Sequence, residues 1–392
     1  MKKPRSQVIF DDSDFPISLV RKNFFAGTGY DIEELKDKPI IGVVNSQTGI
    51  NPGHVHLDGI AQRVMEGVHA AGGVPFEFSV PAPCDGLTEG HEGMRYVLAQ
   101  RDLIADVVET HVRSMRYDGL VCVASCDKIV PGMIMAIGRL RMPAIFITGG
   151  PNAWQIRYRP TMKGPVDHKY YDDLMDKFAT ATCATCGACE FMGTANTMQS
   201  LTEALGLSLP RSASVPAYHV EKLMFARRVG MRIVALVEEG ITSERILTMK
   251  AIENALMVDL AIGGSTNSAL HLPAIAKACG FELPLSRFND FSTRVPTLCG
   301  ISPSGPYGVT DLYIAGGIPA VMKRIAEDLH PDALTVSGQT IGDIAGAAQV
   351  LDERVIPERT APFFPEGGTV ALFGNLAPEG AVVKQSAVAR EY

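Results

Sequence analysis

The sequence has no excess of basic residues. Its 36 Lys and Arg are outnumbered by 43 Asp and Glu, for a formal charge of −7. That balance argues against a nucleic-acid partner, since binding phosphates needs clustered cations. No basic amphipathic run suits a membrane surface, and no apolar stretch is long enough to span a bilayer. The start, Met1 to Ser6, is basic but runs into Asp11, Asp12 and Asp14 without the apolar core of a signal peptide, so the expected address is cytoplasmic. There is no internal repeat. What is present is 46% hydrophobic residues, 38 Gly and 25 Pro in 392 residues. Such a chain holds a large α/β domain, alone or with a second piece.

Eight cysteines in a reducing compartment do not predict a disulfide framework. Cys183, Cys186 and Cys189 are clustered, Cys122 and Cys126 lie on and just after one apolar run, and Cys84, Cys279 and Cys299 stand apart. Metal or iron–sulfur ligation is the better reading for some of them. A zinc site needs four ligands, and no second Cys/His pair stands at finger spacing. A cluster assembled from separated cysteines is therefore favoured, with buried small residues as the alternative for the 183–189 group. Cys122, among apolar neighbours, reads as core, and Cys279 as structural.

Taken in order, residues 1–38 are mixed and polar and are expected to wrap the surface. Lys38 to Val44 is the first strand, and the loop through Asn51, Pro52, Gly53, His54 and His56 leads into a helix with Ile60, Val64, Val68 and Ala71 on one face. Val74 to Val80 is a second strand, ending near Cys84 and Asp85. A helix with Ile104, Val108 and Met115 leads to the third strand, Gly119 to Ala124. A helix over 132–140 and a fourth strand, Pro143 to Thr148, follow. This β-α alternation predicts an open parallel sheet flanked by helices.

The third strand runs out into Cys126-Asp127-Lys128, then Pro131-Gly132. A soft thiol, a hard carboxylate and an amine thus fall at the carboxyl end of a strand, where open α/β sheets bind ligands. A polar turn is the alternative. Residues 151–180 read as an irregular connection, and 218–260 as mostly helical. Gly263-Gly264-Ser265-Thr266-Asn267 then precedes an apolar helix, where free N–H groups make an anion site or where Ser265 or Thr266 simply caps. After Arg354 the texture becomes Pro-rich, and residues 369–384 read as short β segments.

Cys126-Asp127-Lys128 with Pro131-Gly132, and Gly263 to Asn267, resemble two signatures of the dihydroxy-acid/6-phosphogluconate dehydratase family. Lys38 to Ser46, Pro52 to Leu57, Asp85-Gly86 with Gly90 to Met94, Gly187-Ala188-Cys189 with Thr194 to Met198, Glu203 to Pro210, and Gly374 to Pro378 match in the same order. The resemblance runs from about residue 38 to the end.

It implies a hydro-lyase that dehydrates a small 2,3-dihydroxy acid to a 2-oxo acid in branched-chain amino-acid biosynthesis, with an aldonic or sugar acid as the alternative substrate. It also implies residues 1–355 as an iron–sulfur and Mg²⁺-binding α/β domain, with 356–392 as a linker and the beginning of a β-barrel-like domain. By position, Cys126 and Cys189 would ligate a 2Fe–2S or 4Fe–4S cluster. Asp85, Asp127 and a carbamylated Lys128 would hold Mg²⁺, Lys128 being counted as catalytic too. Ser265, Thr266 and Asn267 are assigned to substrate. A homodimer or higher oligomer is expected.

Three departures bear on this. Many members carry a third cluster thiolate where this chain has Gly53, and Cys84 replaces a common second Asp. The family's serine base and a further Mg²⁺-ligating glutamate belong to a C-terminal domain largely missing here. A truncated product, a partner chain completing the site, or a catalytically incomplete iron–sulfur subunit are the expectations that follow.

Overall fold

Apolar runs bounded by turn residues become the central sheet. In the computed structural model, which describes residues 4–153 and 185–388, β1 (Ile40–Asn45), β2 (Val74–Ser79), β3 (Gly119–Ala124) and β4 (Ala144–Thr148) pair in the order β2-β1-β3-β4, every pair parallel. β1, β3 and β4 are buried along their whole length, as strands covered on both faces must be. β2, at the edge, alternates half-buried and exposed beyond its first two residues.

The strand order fixes where ligands belong. From β1 the chain moves outward to β2, then returns to place β3 on the other side of β1. The carboxyl ends of β1 and β3 therefore flank the point where the winding reverses, the usual ligand crevice of such sheets. The loop after β1 is latched there: the Ser46 N–H and hydroxyl both donate to the Val123 carbonyl, at 3.2 and 2.9 Å.

Eight helices of ten residues or more surround the sheet among the described residues: α1 (Ile17–Ala26), α2 (Leu57–Ala70), α3 (Met94–Met115), α4 (Ile129–Leu140), α5 (Thr194–Ala204), α6 (Val220–Glu239), α7 (Met249–Ala261) and α8 (Ser268–Cys279). α4 carries apolar residues all round and is buried along nearly its whole length. It begins at Ile129, earlier than the sequence reading placed it. Pro131 sits in its first turn, where a missing N–H costs no helix bond.

The N-terminal 38 residues do more than wrap the surface. α1 forms there, Leu35 is fully buried, and the buried Asp118 carboxylate accepts the Ser6 N–H at 2.9 Å and the Ser6 hydroxyl at 2.5 Å. These polar residues pair with one another inside, which a hydropathy reading takes for solvent exposure. At the other end, β5 (Val370–Gly374) and β6 (Ala377–Val383) form an antiparallel hairpin. The expected connection over 151–180 and Cys183 lie mostly or wholly outside the described residues.

Candidate active site

Cys126 follows β3 by one residue and adopts φ +62°. A non-glycine residue there bends the chain sharply at a cost that surrounding packing must offset. Asn51, on the loop after β1, holds this bend to its neighbours. Its Oδ1 accepts the Gly53 N–H at 3.0 Å and lies 3.4 Å from Cys126 Sγ, while its Nδ2 donates to the Pro83 carbonyl at 3.0 Å. The loops after β1, β2 and β3 thus converge, all three strands being parallel.

The Cys189 loop joins them. The Gly187 N–H donates to the Pro52 carbonyl at 3.1 Å, and Ala188 pairs with Pro151 beyond β4. A Cβ built on Gly53 would lie 3.1 Å from Cys126 Sγ and 3.6 Å from the Ala188 backbone. Residue 53 therefore abuts the thiol, and a side chain there would project into the space beside it. Burial pushes the Cys126 thiol up from its ordinary range, and the nearby Cys189, Cys84 and Asp85 push it further.

One residue on, the chemistry changes. Lys128 Nζ, buried, bridges Asp85 Oδ2 at 2.5 Å and Asp127 Oδ1 at 2.7 Å. Burial and the facing Asp127 charge raise Asp85 above the usual carboxylate range, against the pull of Lys128. For Asp127 burial also acts upward. The His271 hydrogen bond and the Lys128 charge outweigh it and hold the carboxyl down at about 2. Asp85 Oδ1 is buried with no hydrogen-bond partner.

α8 supplies the rest of the cage. Asn267 Nδ2 donates to Asp127 Oδ2 at 3.0 Å, and His271 Nε2 lies 3.1 Å from Asp127 Oδ1. Burial lowers the His271 pKa, so the ring is neutral near pH 7. Nε2 then donates to Asp127, leaving Nδ1 to accept from Arg101 Nη1 at 3.3 Å. The turn before α8 is shaped by a buried acid: Asp259 Oδ1 would lie 1.8 Å from a Cβ at residue 264, so only glycine fits there. The first two turns of α5 close the site from the other side. Thr194 Oγ1 meets Ser265 Oγ at 2.7 Å and accepts from Asn267 Nδ2 at 3.0 Å, and Thr197 Oγ1 accepts the Ser265 N–H at 3.0 Å.

The structure therefore gathers Asp85, Asp127, Lys128 and Asn267 into one hydrogen-bonded set, with Ser265 behind it. Cys126 lies beside them, with Cys189 and Cys84 near it. Thr266 is half-buried, and its side chain makes no hydrogen bond among the described residues. Sequence reading did not single out His271, Asn51, Thr194, Asn196 or Gln199 as site residues. Thr194 and Asn196 lay inside one of the matched motifs, and His271 stood four residues after Asn267 and so on the same helical face.

Two donor classes fit two kinds of metal. Converging thiols around a small-residue cradle suit iron. Two carboxylates, one with an orphaned buried oxygen, suit a hard cation. Among the described residues no three of His, Cys, Asp and Glu are grouped so as to hold a metal ion. Lys128 takes the third place beside Asp85 and Asp127.

Comparison with known proteins bears on the same residues. The family described as dihydroxy-acid/6-phosphogluconate dehydratase N-terminal matches residues 38–344. The chain is similar to the dihydroxy-acid dehydratase of Acetivibrio thermocellus, with 47% identity over 378 residues, covering 94% of this chain and 68% of that protein. It is similar also to those of Ignicoccus hospitalis, at 48% identity with 92% and 67% covered, and of Pyrococcus abyssi, at 45% with 93% and 68%. The chain thus spans about two thirds of the length of these relatives.

Proposed function

The chain belongs to the dihydroxy-acid/6-phosphogluconate dehydratase family, and on that premise we propose that it is a hydro-lyase removing water from a 2,3-dihydroxy carboxylic acid. The C2 hydrogen and the C3 hydroxyl leave as water, and the remaining enol tautomerises to a 2-oxo acid. The relatives' shared name favours a dihydroxy acid over a sugar acid, and we place the reaction in branched-chain amino-acid biosynthesis. The observation that carries the reading is the juxtaposition at residues 126–128. Lys128 Nζ sits between Asp85 and Asp127, and the neighbouring Cys126 thiol faces the Cys84 and Cys189 side.

Cys126 and Cys189 would hold an iron–sulfur cluster, and Asp85, Asp127 and Lys128 would hold Mg²⁺. When bound, these groups supply a Lewis acid for the leaving hydroxyl and a hard anchor for the carboxylate and 2-hydroxyl. An ammonium has no lone pair to offer. Lys128 would serve only after losing a proton and adding CO₂, which yields a carbamate oxygen and releases a second proton. The two carboxylates, facing one ammonium, leave this pocket with an unbalanced negative charge that attracts a cation.

His271 and Asn267 orient Asp127 whichever cation it faces. The N-terminus of α8, with Thr266, is the element we assign to the substrate carboxylate. Ser265 and Asn267 support it through their bonds to Thr194 and Asp127. Thiol chemistry of this kind suits a reducing, cytoplasmic compartment. Phe15, Ile17 and Phe24, 71%, 59% and 78% exposed along α1 and its approach, support a homo-oligomer. No helix among the described residues is long and apolar enough to cross a membrane.

The test is an anaerobic dehydration assay of the iron- and Mg²⁺-loaded chain on branched 2,3-dihydroxy acids and on aldonic acids. Formation of 2-oxo acid from the branched substrates is expected. Turnover confined to aldonic acids would move the substrate assignment, and turnover of neither would defeat the enzyme reading of this chain.

A further inference from the structure

Gln199, in the second turn of α5, is buried with 1% of its surface exposed, and nothing in the proposed reaction uses it. Its Oε1 accepts the Gly150 N–H at 2.7 Å and, more weakly, the Ser125 hydroxyl at 3.4 Å. Its Nε2 donates to Asn196 Oδ1 at 3.1 Å, one turn earlier on the same helix face. Asn196, equally buried, donates through Nδ2 to the backbone carbonyls of Cys189 and of Phe191, the latter at 2.9 Å.

One end of this relay meets the side chain that precedes a proposed cluster thiol, and the other meets the backbone carbonyl of Cys189 itself. Ser125 immediately precedes Cys126. Gly150 accepts the Ala188 N–H at 2.9 Å, and Asn152 donates to the Ala188 carbonyl at 2.7 Å, so the backbone beside Gly150 holds the bridge residue that precedes Cys189. A primary amide is the side chain for this task, because it accepts and donates at once. Leucine in its place would leave the Gly150 N–H and Asn196 Oδ1 without their partner in a dry interior.

We propose that Gln199 and Asn196 are positioning residues that set the separation and orientation of the Cys126 and Cys189 thiols, and so govern retention and electronic structure of the cluster. The inference rests on the reading of those two thiols as cluster ligands. It is specific to one half of the site. Asn196 and Gln199 of α5 bond to the Cys189 loop, Ser125 and Gly150, whereas Thr194 and Thr197 of the same helix bond to the turn whose Asn267 holds Asp127.

The test uses the 392-residue chain reconstituted anaerobically with iron and sulfide, in wild-type, Gln199→Leu and Gln199→Glu forms. Four readouts are iron release to a chelator, the EPR spectrum of the reduced cluster, Mn²⁺ affinity, and the circular-dichroism melt. Both variants should release iron about tenfold faster or more, as loss of an outer-sphere partner typically does. Their EPR g-values should shift while Mn²⁺ affinity stays near wild type. A glutamate in place of the amide keeps the acceptor toward Gly150 and, when ionised, exchanges the donor toward Asn196 for a buried negative charge, so Gln199→Glu, read above about pH 8, carries the test if Gln199→Leu does not fold. Wild-type iron release and EPR in a folded variant would overturn the proposal. So would a parallel fall of cluster retention, Mn²⁺ affinity and melting temperature, which marks general damage. Wild-type protein that retains no iron would instead defeat the ligand reading, and this inference with it.

Discussion

Cys126 and Asp127 are consecutive, yet the crevice treats them in different ways. Among the described residues Cys126 Sγ has a single side-chain partner at hydrogen-bond distance, Asn51 at 3.4 Å, and is shaped by its left-handed backbone and the glycine opposite. Asp127 collects Lys128, His271 and Asn267. In the carboxylate half Asp127 is ionised and cross-braced before any cation arrives. The thiol half offers room and dryness, with a proton still on Cys126 that metal binding must displace. Soft and hard sites can therefore sit in adjacent residues without competing: one is organised by charge partners, the other by backbone geometry.

The comparison breaks most visibly at Asp127. Asp127→Asn should lower dehydration roughly 1,000-fold, about 4 kcal/mol of barrier, while iron content and visible absorption stay at wild-type levels. Loss of iron in that variant would show that the halves are one unit.

Next in size is acid stability, to which His54, behind the thiol half, makes a separable contribution. Burial lowers His54 from 6.5 to about 4, and its Nδ1 lies 2.7 Å from the Ser46 carbonyl in the loop that carries Gly53. Between those pH values the unfolded chain binds a proton that the native ring refuses, so stability falls as pH drops from 6.5 toward 4. The fall amounts to about 3 kcal/mol. Denaturant titrations should show a shallower acid limb in His54→Asn. Asp127, lowered from 3.8 to about 2, loses its own contribution below that window, as pH falls from 3.8 toward 2.

Gly264→Ala tests the packing behind the carboxylate half, because its Cβ would meet Asp259 Oδ1. A loss of about 2 kcal/mol in chemical denaturation is expected, with weakened Mn²⁺ binding as Asn267 shifts. The smallest effect is a control outside both halves. Lys250 and Asp332 pair on the surface, both more than half exposed, and Lys250→Ala should leave the denaturation midpoint unchanged.

Much of this site was legible in the sequence, and the illegible part has a physical reason. The strand that delivers Cys126-Asp127-Lys128 announces itself as an apolar run, and Asp85 follows another. Strand order did not, because parallel pairing is non-local: β1 meets β3 across an intervening strand and three helices, one of them a single turn. The polar residues of α5 were hidden for a related cause. Asn196 and Gln199 look like an ordinary solvated helix face until the fold buries them against loops distant in sequence. His271 likewise reads as one residue of an apolar helix, and only tertiary packing brings it to Asp127.

The claim that two unlike metal sites share one junction can be measured directly. With Mn²⁺ as the probe cation, the EPR spectrum is recorded on reconstituted protein before and after the cluster is brought to its paramagnetic state. The Mn²⁺ signal should broaden on that change in the wild-type chain and stay sharp in Cys126→Ala, which lacks the cluster. A bound Mn²⁺ signal that ignores the state of a fully loaded cluster would contradict the account.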